Sequence, residues 1–488
     1  MSYFELLKLG APETIIVVTA LAVLTIGLTT TRVTIFCPVV AAIGISVAIG
    51  AVLLLPSHAN LFGGMLVISP LNSLFKIICL ALALLTVPLV SSDTSLRNPG
   101  EYLALILLGA LGLMLLVGSE EFLMIFIGLE LLGLSLYVLA AFDKIDIRSA
   151  EAGLKYFLFG STASAFTLFG ISLVYGMSGT TSLALVAQKL AGLPVPPLLA
   201  AGIVMTLIGF AFKIAVAPFH LWAPDAYQGA PIPSAAFIAS GSKVASFVVL
   251  GKIVLVGFGP IHGSADWHAM VAGWSPVLAA LAALSILLGN FVALAQSNVR
   301  RLLAYSAVAH GGYTLLGIVA GGRDGFSATL FYISVYAVTL VGAFAVVGVV
   351  RRETGGDDLQ NFAGLAARSP FLAACMPIFL LSLAGLPPLA GFFGKFYLFS
   401  AAFRAGGNQG LLWLVGVALF GSFVSLYYYL IVLKLIFVDK APEVSAKHGS
   451  PISGFAFENA TIAILAAAVL FFGVMPQTLA ARIVAALP

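Results

Sequence analysis

The chain has 488 residues, of which 61% are hydrophobic and only 9% charged, with a formal net charge of +4 and a mean hydropathy of +1.13. A water-soluble domain carries about 25% charged residues, so this composition excludes a soluble enzyme and requires lipid as solvent. No basic run suggests nucleic acid, and Cys37, Cys79 and Cys375 stand singly in apolar stretches, which excludes a disulfide framework and cysteine-held iron–sulfur clusters.

Only helices and closed barrels span lipid, because every backbone polar group must be satisfied inside the protein. The apolar stretches run to about twenty residues, the length of a spanning helix, without the alternation of a barrel strand. The sequence therefore predicts an all-α integral membrane protein with about fourteen transmembrane helices. In chain order the windows fall near 12–30, 33–55, 71–90, 101–118, 121–141, 154–176, 197–222, 231–258, 271–295, 302–320, 326–350, 371–400, 411–438 and 456–478. The first is read as a true span rather than a removed signal, since no basic segment or cleavage site precedes it. The connections are short, the longest being Asp143–Glu151, Arg351–Arg368 and Lys440–Ser453.

With an even number of spans both termini lie on one side. That side carries five Lys or Arg, including Lys8 and Arg482; the other carries twelve, including Arg148, Arg300, Arg301, Arg351 and Lys447. Cytoplasmic connections are the basic ones, so the termini are expected on the outer, periplasmic side.

Two spans are unusual. Leu207–Trp222 and Leu380–Phe399 each hold proline well inside an apolar run, where it removes a backbone hydrogen bond and breaks the helix. They are the seventh and the twelfth spans. Interrupted helices in corresponding positions are the trace of an internal repeat in transporters. The pattern predicts two five-helix units, 101–258 and 271–438. Five is odd, so the second is inverted relative to the first. Residues 1–100 form an N-terminal three-helix segment, and 439–488 hold the last helix.

Ionisable residues at membrane depth cost about 2.5–3.5 kcal/mol each and mark function by default. Glu130 lies mid-way along the fifth span. Lys213 lies five residues before Pro218, Lys243 in the eighth span, and Lys395 seven residues after Pro388. His310 lies in the tenth span, with Tyr313 one turn on. Such a set suits protons. Burial and a movable carboxylate together make lysine a switchable proton store, and histidine relays protons through either ring nitrogen. A solute site would need several specific hydrogen-bonding groups, and a sodium site clustered carboxylates. The plain alternatives are a static ion pair for Glu130, lysines bonded to carbonyls freed by the breaks, and a packing histidine. His220, after Pro218, is expected at the membrane interface and, with Tyr313, is a candidate relay. Lys76, Lys252 and Lys434 lie near span ends and are expected to snorkel, and Glu120 and Glu121 to be solvated.

The stretches AFKIAVAPFHLWAPDAYQGAPIP and SGSKVASF, with RRLLAYSAVAHGGY and LAGLPPLAGFFGKFYLF, resemble the antiporter-like membrane subunits of proton-translocating NADH-quinone oxidoreductase (respiratory complex I). The likeness covers about residues 70–480. PDAYQGAPIP and GFFGKFYLF are most similar to the subunit N branch; a lysine at 395 and the absence of a long lateral helix after the last span point the same way. The resemblance implies fourteen helices in two inverted units with the seventh and twelfth broken. It implies proton-transfer roles for Glu130, Lys213, Lys243, His310 and Lys395. It also implies no cofactor in this chain, with NADH, FMN, iron–sulfur clusters and quinone handled by partner subunits of the complex in a bacterial inner membrane. The related multisubunit sodium/proton antiporters share the fold and are the alternative. A third reading makes the chain a purely structural subunit.

Overall fold

A computed structural model of the chain describes residues 3–30, 32–93, 96–192, 195–405, 409–440 and 455–487. The expected connection Lys440–Ser453 and its Lys447 lie almost wholly outside them. The elements run α1 (Tyr3–Leu9), α2 (Ala11–Thr29), α3 (Val33–Leu53), a short hairpin β1 (Ala59–Leu61) and β2 (Leu66–Ile68), α4 (Pro70–Ser92), α5 (Pro99–Gly118), α6 (Phe122–Ala140), α7 (Ile147–Ser178) and α8 (Leu183–Leu190). Then come α9 (Pro197–Lys213), α10 (Trp222–Gly229), α11 (Ile232–Ala239), α12 (Gly241–Lys252), α13 (Trp274–Leu294), α14 (Val299–Ala320), α15 (Gly322–Thr354) and α16 (Leu365–Arg368). The chain continues through α17 (Pro370–Ala384), α18 (Ala390–Arg404), α19 (Leu412–Phe437), α20 (Phe455–Val474) and α21 (Gln477–Ala486).

Among the described residues, 12 stretches of helix are long and apolar enough to cross a membrane, and two shorter apolar helices, α9 and α17, add to them. Those two are the first halves of the proline-broken seventh and twelfth spans, and with them the described helices account for the expected fourteen. The protein is an all-α membrane protein. Its antiparallel hairpin, pairing Ala59 with Ile68 and Leu61 with Leu66, falls in a connection between spans.

The apolar surface is distributed as lipid demands. α12, α14 and α15 are almost wholly buried, whereas α2, α3, α19 and α20 show much of their surface to the outside. Side chains such as Leu28, Phe423 and Phe457 stand exposed there. Lipid removes the hydrophobic drive between helices, so they associate through close packing over small residues. Gly27 shows this: a Cβ there would lie 2.9 Å from the Gly100 Cα, so α2 and α5 meet backbone to backbone.

Both expected breaks are present, each for a local reason. α9 ends at Lys213, and Ala215 takes a left-handed φ of +57°. The freed groups are satisfied internally: Trp222 Nε1 donates to the Phe212 carbonyl at 3.0 Å, and Ala217 N to Ser285 Oγ at 2.9 Å. The Trp222 indole stacks on Tyr156 at 4.1 Å between centroids, which fixes the returning half-helix α10. α17 ends at Ala384 and is capped by Gly385, whose φ of +89° suits the left-handed cap that glycine supplies without Cβ strain. Its N–H reaches the carbonyls of Leu381 and Ser382.

The structure corrects several expectations. The eighth span, expected continuous over 231–258, is interrupted at Ser240 (φ −112°, ψ −84°) between α11 and α12 and ends in a π-helical turn, Ile253–Gly257. No proline announces this break. Lys252 does not snorkel: it is buried and donates to Asn72 Oδ1 at 2.6 Å and the Val117 carbonyl at 2.7 Å. Lys76 is likewise buried, paired with Glu13 at 2.6 Å. Glu121 is buried as the cap of α6, accepting from Met124 N at 2.8 Å. Lys434 and Glu120 keep exposed side chains, as expected. Arg300, expected in a solvated connection, is fully buried. It donates to the Tyr227 carbonyl at 2.7 Å and to Asp357 Oδ2 at 3.3 Å.

Candidate proton-transfer site

Glu130 stands one helical turn before Gly133 and two before Tyr137 on α6, so the three share a face. Its carboxylate accepts a 2.5 Å hydrogen bond from Ser164 Oγ of α7. Lys213, the last residue of α9, enters the same space: both residues line a cavity of ≈ 10 Å³ with Tyr137, Ser164 and Thr167. That volume is close to the least that one water needs. Among the described residues no ion pair within 4.0 Å joins Glu130 to Lys213. The Lys213 Nζ instead lies 5.5 Å from the centre of the Tyr137 ring, within cation–π range. Glu130 is half-buried, while Lys213 is only 5% exposed.

Lys243 and Lys395 are bonded otherwise. Lys243, in the first turn of α12 just past the Ser240 break, donates to the Ala307 carbonyl of α14 at 2.8 Å and lies 5.7 Å from the Tyr336 ring centre. Lys395, on α18, folds back over the break. Its Nζ donates to the Ala384 carbonyl and to Ser422 Oγ, both at 2.8 Å, and lies 4.9 Å from the Tyr313 ring centre. The Ala384 carbonyl is the last of α17, freed by the break, so the lysine arm satisfies an acceptor that the interrupted helix leaves over.

His310 sits between these two lysines, buried and bonded at both nitrogens. Nδ1 lies 2.5 Å from the Tyr332 hydroxyl and Nε2 3.2 Å from the Tyr429 hydroxyl. Tyr429 in turn meets Ser306 Oγ at 2.5 Å. The Tyr313 hydroxyl accepts from Asn290 Nδ2 at 2.9 Å, and the Tyr428 hydroxyl donates to Asn290 Oδ1 at 3.0 Å. Lysine, histidine, asparagine, serine and five tyrosines thus form one polar seam through α12, α13, α14, α15, α18 and α19. The sequence reading found Lys243, His310, Tyr313 and Lys395. It missed Asn290, Tyr332, Tyr336, Tyr428 and Tyr429, whose only signal was that polar residues recur in spans otherwise apolar. His220 is 5% exposed and lies in the seventh-span break, and its Nδ1 has no partner among the described residues. No group of three His, Cys, Asp or Glu able to hold a metal ion occurs among the described residues.

Residues 119–423 match the family model described as NADH:quinone oxidoreductase/Mrp antiporter, TM. A relative from Acidobacterium capsulatum, named NADH-quinone oxidoreductase subunit N 2, is 45% identical, with 98% of each chain covered. The chain belongs to this family, in its subunit N branch. A chain of respiratory complex I from Thermus thermophilus superposes with a TM-score of 0.78 at 32% identity, covering 96% of this chain and 98% of that one. A chain of the Mrp complex from Dietzia superposes with a TM-score of 0.84 over 98% of this chain and 97% of that one, at 20% identity, a likeness of fold alone.

Proposed function

We propose that this subunit moves protons across a bacterial inner membrane as a non-redox part of NADH-quinone oxidoreductase, with Glu130, Lys213, Lys243, His310 and Lys395 as the proton-transfer groups. Electron transfer among NADH, FMN, iron–sulfur clusters and quinone takes place in partner subunits, and other antiporter-like subunits flank this one. The two five-helix units, 101–258 and 271–438, are inverted repeats, and both termini face the periplasm.

The observation that carries this reading is the seam itself. Lys243, His310 and Lys395 lie 1%, 2% and 4% exposed, bonded to neutral carbonyl and hydroxyl partners rather than to carboxylates. A structural lock would place a carboxylate against each lysine, as Glu13 does for Lys76. An amine held only by carbonyl and hydroxyl groups can release its proton without leaving a charged partner bare. At the other end Glu130 and Lys213 share a cavity without closing into an ion pair, so a small displacement changes their coupling. Redox events in the partner subunits shift that pair, and the charge change passes to Lys243 and onward. His220 and Tyr313 serve as relay groups beside it.

The test is NADH-driven pumping in vesicles carrying Lys213→Ala or Glu130→Ala. Both variants are expected to assemble and to pump poorly; full pumping in both ends this assignment. The alternative, a sodium/proton antiporter subunit, is supported by the family model, whose description spans both groups, and by a Mrp chain that is 20% identical and shares the fold. Sodium-dependent transport by the purified complex would favour it.

A further inference from the structure

The outer surface of the first five-helix unit carries a gap in its packing. Between α2, α5, α6 and α7 a cavity of ≈ 600 Å³ stays open. Its walls are apolar: Leu24 of α2, Leu105 and Leu108 of α5, Val138 of α6, and Leu154 and Phe157 of α7. Val138, Leu154 and Phe157 are also exposed on the outside of the bundle, so the cavity is a groove that opens sideways to lipid. Tyr137 lines it too, and the same residue lines the cavity of Glu130 and Lys213. The mouth of the groove is charged. Glu101, in the first turn of α5, and Lys144, in the connection after α6, both line it, at the end of the bundle that the charge count assigns to the cytoplasm. Glu101 accepts one hydrogen bond, from Asn98 Nδ2 at 3.3 Å. Among the described residues neither charge has an ion-pair partner within 4.0 Å.

We propose that this groove binds one phospholipid with a primary-amine headgroup, a phosphatidylethanolamine. An apolar slot left empty in the membrane would leave its wall atoms without contacts on one side, and an acyl chain supplies them along Leu105, Leu108, Val138 and Phe157. The two charges at the mouth have opposite sign, which matches a zwitterionic headgroup. The Lys144 ammonium meets the phosphate oxygens, and the Glu101 carboxylate meets the lipid ammonium through charge-assisted hydrogen bonds. A primary ammonium has N–H groups to donate to Glu101, whereas the quaternary ammonium of a phosphatidylcholine has none, so the carboxylate selects between the two. The chain packs beside Tyr137 and outside the proton-transfer site. The binding site therefore stands on its own walls and charges, whatever roles Glu130 and Lys213 have.

The test is photolabelling of the whole complex in phosphatidylglycerol vesicles that contain a little phosphatidylethanolamine with a diazirine in one acyl chain. After illumination, label is expected on Leu105, Leu108 or Phe157, and unlabelled phosphatidylethanolamine should compete it away. Lys144→Ala and Glu101→Gln, both at the mouth, should each lower it about threefold, the effect of losing one partly exposed charge pair. A phosphatidylcholine with the same diazirine should label the native groove less. That preference should vanish in Glu101→Gln and persist in Lys144→Ala, because only the carboxylate distinguishes the two headgroups. Leu105→Trp, which places an indole in the groove, should abolish the labelling with assembly intact on native gels; if it fails to assemble, the two mouth variants still decide. Equal labelling by both lipids, unchanged in the mouth variants, means bulk lipid only and overturns the proposal. A groove that no lipid labels, because a partner subunit covers it, overturns it as well.

Discussion

The two broken spans solve the same backbone problem with different chemistry. In the seventh, Lys213 ends the first half-helix and points into a cavity with Glu130, with an aromatic ring beside it. In the twelfth, Lys395 lies on the second half-helix and reaches back to close the break, donating to Ala384 and Ser422. The first lysine has a carboxylate neighbour and room; the second has neutral partners and none. In the mechanism proposed above, that difference would give them different work: Lys213 would respond to a change of charge, and Lys395 would hold or release a proton within a fixed frame.

The sharpest way to break that comparison is to remove the carboxylate. Glu130→Gln should abolish most NADH-driven pumping measured by a pH-sensitive dye, with assembly intact on native gels, because Lys213 loses its one acidic neighbour in the cavity. Gly385→Ala comes next. It forces a side chain into φ +89° and brings a Cβ within 2.8 Å of the Lys395 Cδ. A cost of about 1–3 kcal/mol is expected, read as a lowered unfolding temperature of the complex together with lost pumping. Gly133→Ala is the informative counterpart. A Cβ there would lie 3.1 Å from the Lys213 Nζ and 3.2 Å from the Tyr137 hydroxyl, the ends of side chains that can move, on an ordinary helical backbone. Stability should hardly change while pumping falls, which would show that Lys213 works by position. Ser422→Ala should have a smaller effect, about 1 kcal/mol, since the Ala384 carbonyl still accepts from Lys395. The smallest is Asp225→Asn. Asp225 bridges Lys155 and Arg301, each at 2.7 Å, but all three are partly exposed, so thermal unfolding should shift by no more than about 1 kcal/mol.

Much of the candidate site was legible in the chain because charge is so rare in it. Glu130, Lys213, Lys243 and Lys395 stand out against apolar neighbours, and proline marks both breaks where the lysines gather. The eighth-span break was not legible, since Ser240 and Gly241 carry no signal as strong as proline. The fate of the other cations was not legible either. Lys252 finds Asn72, 180 positions away, and Arg300 finds Asp357, 57 positions away. Hydropathy windows see only the local chain, so they sent these residues to the membrane surface.

By itself, then, the sequence determined the solvent, the helical class, the number of spans and where helices must break. These follow from composition and from the backbone's need for hydrogen bonds in lipid, which are local properties. Only the tertiary structure decided which buried cation pairs with a carboxylate and which with neutral groups. Lys76 meets a carboxylate, Lys243 a carbonyl, and His310 two tyrosines. Each partner comes from a distant helix, and the electrostatics of a buried charge are set by what packs against it.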